Sequence, residues 1–410
     1  MLWLSLAASQ AGSQGLAAEL AARPDVRAAL ERIRASDEAT VNEQIRIAEI
    51  PAPPFHEDRR GQYILQRFRQ LGLQQVEKDQ VGNVIGLREG TDKSAPLVVL
   101  SAHLDSVFPE DLKISMRREG RRIIGPGITD DARGLAVLLR LIEAVGPDGV
   151  RTRHGILFVA TVGEEGLGDL RGVKHLFGKG HWASRIGSFV SIDGADDDRI
   201  VNGAVGSKRY QVFFRGPGGH SWGNFGRANP AHAMGRVIEG IARLTVPASP
   251  KTTYNVGRVG GGTSVNSIPF EVWMEIDLRS EDPPALARLD AQFLALVDSG
   301  VRAENAASET SGTAVQARKI LRGERPPGRT DAGSPIVKIA QDASQVLGIA
   351  AELTYSSTDA NIPISRGIPA ITVGGGGRAG NAHAPDEWFD PEGSYRGVQR
   401  NLLLLLALAN

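Results

Sequence analysis

The stretch that decides the fold is Leu97–Asp105, with the sequence LVVLSAHLD. It opens with consecutive apolar residues, a run typical of a strand buried on both faces of a parallel sheet. It closes with His103 and Asp105, which share a face if the strand continues, because side chains alternate along a strand. At the carboxyl end of such a strand, both side chains reach the crevice where open α/β sheets bind ligands. A structural His–Asp pair in a turn is the alternative interpretation.

Further apolar runs of the same kind lie downstream, at 156–160, 189–192 and 370–373. Helical patterns separate them, most clearly over 135–145 and 334–347. The segment 26–73 is also helical in pattern, with a proline-rich break at 51–54. Short buried strands that alternate with helices predict an α/β fold with a central, mostly parallel sheet.

The pattern changes between residues 206 and 326. It predicts strand, helix, strand, strand, helix and strand, over 210–214, 230–244, 252–259, 268–278, 284–297 and 314–321. That order is ferredoxin-like. We therefore expect a catalytic domain in two parts, 1–205 and 327–410, interrupted by an α+β domain over 206–326. The polar stretch 303–313 is interpreted as a loop or hairpin tip.

Composition excludes several classes of protein. In 410 residues, 47 Lys and Arg balance 47 Asp and Glu, so the basic excess of a nucleic-acid binder is missing. The lack of cysteine excludes disulfides, thiolate metal sites and cysteine nucleophiles. No apolar run reaches the ~18 residues that cross a bilayer. We expect neither nucleic acid nor membrane as a partner. The compartment stays open between cytoplasm and export, because the apolar stretch 2–8 fits both a clipped secretion signal without its basic residues and an ordinary chain end.

Acidic residues and a second histidine occupy places comparable to that of His103. They are Asp130 and Asp131 before a helix, Glu164 and Glu165 after the second apolar run, Asp193 after the third, and His383 after the last. Each has a structural alternative, such as a helix cap for the aspartate pair and a solvated turn for the glutamate pair. If the strands are parallel, all of these residues meet at one edge of the sheet.

The combination of these residues indicates metal chemistry. Adjacent carboxylates in a crevice repel one another unless a cation compensates. Two histidines and several carboxylates without thiolates form a ligand set for zinc, manganese or cobalt. Five ligands and one extra acid suit two metal ions that share one carboxylate, with a bridging water as the nucleophile.

The sequence resembles the co-catalytic di-zinc peptidase and aminoacylase family. That family includes peptidase T-like tripeptidases, glutamate carboxypeptidases, aminoacylases and succinyl-diaminopimelate desuccinylases. The matching motifs are His103-Leu104-Asp105, Gly127-Ile128-Thr129-Asp130-Asp131, Gly163-Glu164-Glu165-Gly166, Asp193-Gly194, Gly219-His220-Ser221 and His383-Ala384-Pro385-Asp386-Glu387. The resemblance implies a zinc-peptidase catalytic domain interrupted by a lid domain that forms a homodimer.

The resemblance also implies the ligands of two Zn²⁺ ions per chain, with Co²⁺ or Mn²⁺ as alternatives. His103 and Asp193 would bind one ion. Glu165 and His383 would bind the other. Asp130 would bridge the two ions.

The same resemblance assigns roles around the metal ions. Glu164 would be the general base, and Asp105 would orient the histidine that precedes it. His220 of the lid would reach the active site of the partner subunit. Asn266 and Arg279 lie where relatives bind a substrate carboxylate.

The expected activity is hydrolysis of amide bonds in small peptides, as a di- or tripeptide exopeptidase of either polarity. The alternative is an N-acyl-amino-acid amidohydrolase of the aminoacylase or glutamate carboxypeptidase type. A serine hydrolase is disfavoured, because the G-x-S-x-G match at 219–223 lacks an immediately following helix signal. A non-catalytic binding protein is disfavoured because Glu164 and all the implied ligands are present.

Overall fold

The structure is a computed structural model that describes residues 15–146, 149–308 and 314–410. The apolar stretch 2–8 lies outside the described residues. The chain divides into two compact units, of which the first comprises Met1–Ala204 with Arg329–Asn410 and the second Val205–Gly328. Within the described residues, no helix is both long enough and apolar enough to cross a membrane.

Helices and strands are numbered here in chain order. The helices are α1 (Leu16–Ala22), α2 (Pro24–Ala35), α3 (Asp37–Ala48), α4 (Asp58–Gln70), α5 (Ala132–Ala144), α6 (Arg171–Gly178), α7 (Pro230–Ala242), α8 (Pro283–Ala307), α9 (Pro335–Val346), α10 (Asn361–Ser365) and α11 (Tyr395–Ala409). The strands are β1 (Gln74–Lys78), β2 (Val84–Arg88), β3 (Leu97–His103), β4 (Arg117–Glu119), β5 (Arg122–Ile124), β6 (Ile156–Thr161), β7 (Ile186–Ile192), β8 (Arg199–Ala204), β9 (Gly206–Arg215), β10 (Gly219–His220), β11 (Thr252–Gly261), β12 (Ser267–Ile268), β13 (Glu271–Ser280), β14 (Gln316–Arg325), β15 (Gly328–Arg329), β16 (Glu352–Ser356), β17 (Ala370–Val373), β18 (Arg378–Gly380) and β19 (Trp388–Asp390).

A nine-stranded sheet forms the centre of the first unit, as far as the described residues extend. Its strands run in the order β1-β2-β6-β3-β7-β17-β8-β15, and β16 pairs with β8. The central strands β6, β3, β7 and β17 are parallel to their neighbours in that group. The predicted α/β class with a central, mostly parallel sheet is confirmed. The carboxyl ends of these four strands consequently lie at one edge.

The apolar runs form strands because helices cover both faces of this sheet. Every residue of β3 is buried. Side chains of a strand alternate, so Val98 and Leu100 pack in the core that includes α5, whereas Val99 packs in the core that includes α6. Because both faces of β3 are buried, its sequence lacks the alternation of polar and apolar residues that a half-exposed strand shows. Packing on both sides also fixes the end of the strand, where His103 lies.

A small antiparallel sheet lies beside this edge, with strands in the order β18-β19-β5-β4. Strand β5 leads directly into the segment that carries Asp130, and the turn between β18 and β19 carries His383. Trp388 of β19 pairs with Ile124 of β5. The small sheet therefore joins two segments that are far apart in sequence.

The second unit has the predicted ferredoxin-like topology. Its sheet is antiparallel in the order β11-β13-β9-β14, and helices α7 and α8 pack on it. The expected helix end at residue 297 and the loop over 303–313 are wrong in part, because α8 continues to Ala307. Its buried stripe continues through Gly300 and Glu304, and Gly300 allows close approach to Val237 of α7. Residues 309–313 of the expected loop lie outside the described residues.

Candidate metal centre

His103 ends β3 and is only 2% exposed. Its Nε2 atom lies 2.9 Å from Oδ1 of Asp130. Its Nδ1 atom lies 3.1 Å from the backbone oxygen of Asp105 and 3.7 Å from the Oδ1 atom of the same residue. The imidazole ring is thus held between two acidic residues.

His383 reaches the same place from the turn between β18 and β19. Its Nε2 atom lies 2.9 Å from Oδ2 of Asp130 and 2.9 Å from Oε1 of Glu165. The two carboxylate oxygens of Asp130 therefore each face a different imidazole. The last apolar run, β17, does not end directly at His383, because β18 intervenes.

The groups meet closely enough to hold metal ions. Donor atoms of His103, Asp130 and Glu165 all lie within 4.8 Å of one another, and so do those of His103, Asp131 and Asp193. Imidazole nitrogens together with carboxylate oxygens suit zinc, cobalt and manganese. The residues present fit divalent metal ions. His103 belongs to both groups, and Asp130 contacts both histidines.

Asp131 supports the centre through the backbone. It is fully buried. Its Oδ2 atom accepts a hydrogen bond from the His103 N–H at 3.0 Å, and Oδ1 accepts from the Gly134 N–H at 3.0 Å and the Gly194 N–H at 3.1 Å. Asp131 is the N-cap residue of α5. The helix-cap interpretation therefore describes Asp131, and its oxygens position three segments of the edge.

Asp105 supports the loop that carries the paired glutamates. Its Oδ1 atom accepts from the Glu164 N–H at 3.0 Å, and Oδ2 accepts from the Glu165 N–H at 2.7 Å. Glu164 and Glu165 are 5% and 8% exposed. The Asp105 carboxylate therefore fixes this loop, while the closest contact of Asp105 with the ring of His103 is made by its backbone oxygen.

The electrostatics of the centre follow from burial and from these contacts. Burial would raise the pKa of Asp130, but hydrogen bonds from His103 and His383 outweigh it and hold that pKa well below its usual value. The same bond with Asp130, together with that to Glu165, raises the pKa of His383 to about 10. Burial, then the charge of Asp130, raises the pKa of Asp193 to about 6. In the metal-free protein at neutral pH, protonated His383 therefore offsets the charge of the carboxylates beside it.

Two buried acids at this edge have no role in the sequence-based prediction. Glu387 is fully buried, and its carboxylate accepts from the segment 127–130. Asp359 is 1% exposed, and its Oδ2 atom accepts from Thr161 Oγ1 at 2.5 Å. Thr161 pairs with His103 across β6 and β3. The sequence does contain a signal for Asp359, because this acid directly follows the short strand-like run 354–358. For Glu387 the only signal is its place in the last matched motif.

The second unit carries the other predicted residues. His220 and Asn266 lie on paired segments, since the Ser221 N–H donates to the Asn266 backbone oxygen at 2.9 Å. Nδ1 of His220 accepts from the Trp222 N–H at 3.2 Å and the Gly223 N–H at 3.3 Å. The ring is therefore anchored by its own turn.

Arg279 belongs to a cluster of arginines that sequence reasoning did not identify. Its Nε atom donates to Asp277 Oδ2 at 2.6 Å, and Nε of Arg209 lies 3.4 Å from Asp277 Oδ1. Ser207 of β9 pairs with Arg279 on one side and with Arg325 on the other. Three guanidinium groups thus collect at one end of this sheet.

The serine-elbow geometry is not formed. Ser221 follows the short strand β10 in a turn, and the next helix among the described residues begins only at Pro230. A nucleophile elbow needs a sharp turn from a strand directly into a helix. The motif match at 219–223 is therefore a turn sequence.

Fold and site together define a class of protein, an α/β protein whose histidines and carboxylates are arranged for divalent metal ions at the carboxyl edge of its sheet. The profile of Peptidase family M20/M25/M40 matches residues 99–407. The chain belongs to this family. It is a metal-dependent hydrolase of the peptidase and amidohydrolase type.

Individual relatives agree with the family assignment. The chain is 25% identical to the uncharacterized protein YqjE of Bacillus subtilis over 365 residues, which cover 82% of this chain and 90% of YqjE. It is 24% identical to an N-carbamoyl-L-amino-acid amidohydrolase of Paenarthrobacter aurescens over 392 residues, which cover 81% and 86% of the two chains. The crystal structure of aminopeptidase PepT from Bacillus cereus superposes with a TM-score of 0.73 at 20% identity, covering 91% of this chain and 99% of PepT. The last similarity concerns the fold.

Proposed function

We propose that the protein is a di-metal exopeptidase that cleaves the amide bonds of di- and tripeptides. The observation that carries the proposal is the placement of Asp130, whose two oxygens each lie 2.9 Å from Nε2 of His103 or of His383. A carboxylate between two imidazoles offers one oxygen to each of two metal ions, as a bridging ligand must.

The other ligands in this proposal are divided between the two ions. His103 and Asp193 bind one ion, and Glu165 and His383 bind the other. The 2.9 Å contact between Glu165 Oε1 and His383 Nε2 supports the second pair. Asp131 is assigned to positioning, because its oxygens already accept three backbone hydrogen bonds. The proposed metal is Zn²⁺, with Co²⁺ or Mn²⁺ as functional substitutes.

Glu164 is the proposed general base. When bound, the metal ions polarise the scissile carbonyl as Lewis acids and acidify the attacking water. Glu164 takes the proton of that water and passes it to the leaving amine. Its place beside Glu165 and the hydrogen bond of its backbone to Asp105 support this role, because they hold Glu164 at the buried edge.

His220 is the proposed donor to the oxyanion that forms during the attack. Because Nδ1 of its ring accepts two backbone hydrogen bonds, the neutral ring carries its hydrogen on Nε2. That tautomer is the donor an oxyanion requires. We propose that the second unit forms a C₂ homodimer and that His220 serves the partner subunit's site.

Asn266 and Arg279 are the proposed partners of a substrate carboxylate. The cluster of Arg279 with Arg209 and Arg325 supports this, because guanidinium groups bind carboxylates through paired hydrogen bonds. A free carboxylate is common to peptides and to N-acyl amino acids. The second candidate is therefore an N-acyl- or N-carbamoyl-amino-acid amidohydrolase, which the named amidohydrolase relative favours.

A substrate screen tests the proposal. Purified enzyme loaded with zinc, cobalt or manganese is assayed on di- and tripeptides, on N-acyl amino acids and on N-carbamoyl amino acids. We expect highest kcat/KM on peptides, turnover reduced by ~10²–10⁴-fold in the Glu164→Gln variant and unchanged turnover in Ser221→Ala. Highest kcat/KM on N-acyl or N-carbamoyl substrates would establish the second candidate. Elemental analysis that finds fewer than two metal ions in the loaded enzyme would contradict the di-metal proposal.

A further inference from the structure

Glu387 makes an unusual set of hydrogen bonds. It stands immediately before β19, is fully buried, and directs its carboxylate to the segment that ends at Asp130. Oε2 accepts from the Gly127 N–H at 3.1 Å. Oε1 accepts from the Thr129 N–H at 2.7 Å, from the Asp130 N–H at 3.1 Å and from the Thr129 hydroxyl. One carboxylate thus gathers four donors from a segment of four residues.

The backbone of Glu387 adds to this connection. Its carbonyl oxygen accepts from the Gly125 N–H at 2.8 Å, and its N–H donates to the Ala384 oxygen at 3.0 Å. Ala384 follows His383 directly, so the turn that carries His383 ends at Glu387. The residue therefore lies at the junction of two segments, one with Asp130 and the other with His383.

The chemistry of this contact requires an acceptor at both oxygens. An ionised carboxylate only accepts, whereas the side chain of glutamine presents an NH₂ group on one side. In a Gln variant that group would face the N–H of Gly127 or the donors of Thr129. Because the carboxylate of Glu387 is occupied by backbone and hydroxyl donors, it holds the ligands without being one.

We propose that Glu387 is a positioning residue of the metal centre, which sets the affinity for metal by fixing the Asp130 carboxylate against the His383 imidazole. The proposal rests on the proposed di-metal function. Groups that orient metal ligands typically change metal affinity 10–100-fold when they are removed. Glu387 differs from Asp105 and Asp131 in the segments it connects, because it joins the turn of His383 to the segment of Asp130.

Variants on both sides of the contact test the proposal. Glu387→Gln removes the charge and one acceptor, whereas Thr129→Val removes one donor at nearly constant volume and constant charge, and Thr129→Ser keeps that donor. The control is Glu304→Gln, because Glu304 is also a buried acid, which accepts from the Asn229 N–H at 3.0 Å and from Arg236 Nε at 3.2 Å in the second unit.

The readouts are zinc affinity by competition with a chromophoric chelator, the visible spectrum of the Co²⁺-loaded protein and the melting temperature of the metal-free protein. We expect zinc affinity to fall about 10–100-fold in Glu387→Gln and by a smaller factor in Thr129→Val. The Co²⁺ spectrum should change in both variants. Thr129→Ser and Glu304→Gln should keep the zinc affinity and the Co²⁺ spectrum of the wild type.

Wild-type zinc affinity and an unchanged Co²⁺ spectrum in Glu387→Gln would overturn the proposal, even if the melting temperature falls. If zinc affinity falls in Glu387→Gln but not in Thr129→Val, the charge of Glu387 alone determines the affinity, and the positioning role is overturned. If Glu387→Gln does not fold, the zinc affinities of Thr129→Val and Thr129→Ser are compared instead. Equal affinities in these two variants would overturn the proposal. A wild type that binds fewer than two zinc ions overturns the proposed function and this inference with it, whereas two zinc ions at unchanged affinity in the variants overturn this inference alone.

Discussion

The supporting acids of the first unit and the proposed oxyanion donor of the second unit are held in opposite ways. In the first unit, Asp105, Asp131 and Glu387 are buried acids, and each accepts at least two backbone hydrogen bonds from segments that hold proposed ligands. In the second unit, His220 is exposed at the end of the short strand β10, and its ring is held by the N–H groups of Trp222 and Gly223 in the turn that follows. Buried, multiply bonded groups are preorganised before any ligand arrives. An exposed ring acquires its remaining contact only when a substrate or partner meets it.

The largest effect should follow from breaking the buried region at its centre. In Asp130→Ala both proposed metal sites lose a ligand at once, and the two imidazoles lose their shared partner. We expect both metal ions to be lost and activity to fall to background, beyond the ~10²–10⁴-fold cost of removing one proton-transfer group. Elemental analysis after gel filtration measures the metal content.

A graded comparison makes this test specific. His383→Ala should weaken mainly one of the two ions, because its Nε2 atom contacts Asp130 and Glu165 but belongs to one proposed site. If Asp130→Ala keeps one ion at full affinity, the bridging assignment is wrong. If His383→Ala loses both ions, the two metal sites bind cooperatively. The metal centre would then depend on each of its side chains more strongly than the exposed turn of His220 does.

The second prediction separates chemistry from metal binding within the buried region. In Glu164→Gln the neighbouring ligand Glu165 and the backbone hydrogen bonds that Asp105 accepts remain. We expect full metal content and an unchanged melting temperature, with activity reduced by ~10²–10⁴-fold. Glu239→Gln, which changes an exposed acid of the second unit, is the matched control. Near-normal turnover in metal-loaded Glu164→Gln would refute the general-base role.

The third prediction addresses the exposed region. His220→Ala should leave metal content and stability unchanged, because the ring packs against little besides its own turn. If the ring donates one hydrogen bond to the oxyanion, kcat should fall by ~10²–10³-fold, which corresponds to about 2.7–4 kcal/mol. His232→Ala, at another exposed histidine of the same unit, is the control and should keep full activity. A lower metal content in His220→Ala would show that His220 supports the metal centre, and would contradict its separation from the buried acids of the first unit.

Mixed dimers sharpen this prediction. His220→Ala and Glu164→Gln should each be nearly inactive as homodimers. When the two variants are co-expressed, one of the two sites in a mixed dimer has both Glu164 and the other chain's His220 if the histidine acts across the interface. Activity should then return to a substantial fraction of the wild-type value. Verified mixed dimers that remain as inactive as their parents would show that His220 does not act in the partner subunit's site.

What the sequence can predict also differs between these features. The strands β3 and β6 and the acids that follow them are local signals, because a continuous apolar run and the polar residues at its end are neighbours in sequence. The role of Glu387 is not a local signal, since its donors lie at 127–130 and only the pairing of β5 with β19 brings them near. The helix end predicted at residue 297 is wrong for a related reason. Gly300 resembles a helix terminator in sequence, but in the structure it packs against Val237 of a neighbouring helix.

The last and smallest effect concerns pH. Hydrogen bonds to Asp130 and Glu165 raise the pKa of His383 to about 10 in the metal-free protein, so below that pH its ring carries a proton on each nitrogen. A metal ion must displace the proton from Nε2, because that nitrogen is the proposed ligand atom. Affinity for the metal of this site should therefore rise about tenfold per pH unit between pH 6.5 and 9.

Asp193 adds a second step at the other site. Burial and the charge of Asp130 raise its pKa to about 6, so below pH 6 it too must release a proton when metal binds, and the slope for its site should steepen there. Chelator competition from pH 5 to 9 measures the slopes, and calorimetry in two buffers of different ionisation enthalpy counts the protons released. His220 is not a proposed metal ligand, so His220→Ala should show the same dependence of metal affinity on pH as the wild type. A pH-independent affinity would mean that no proton leaves His383 or Asp193 when metal binds, and would contradict a protonated His383 that donates to Asp130 and Glu165 in the metal-free protein.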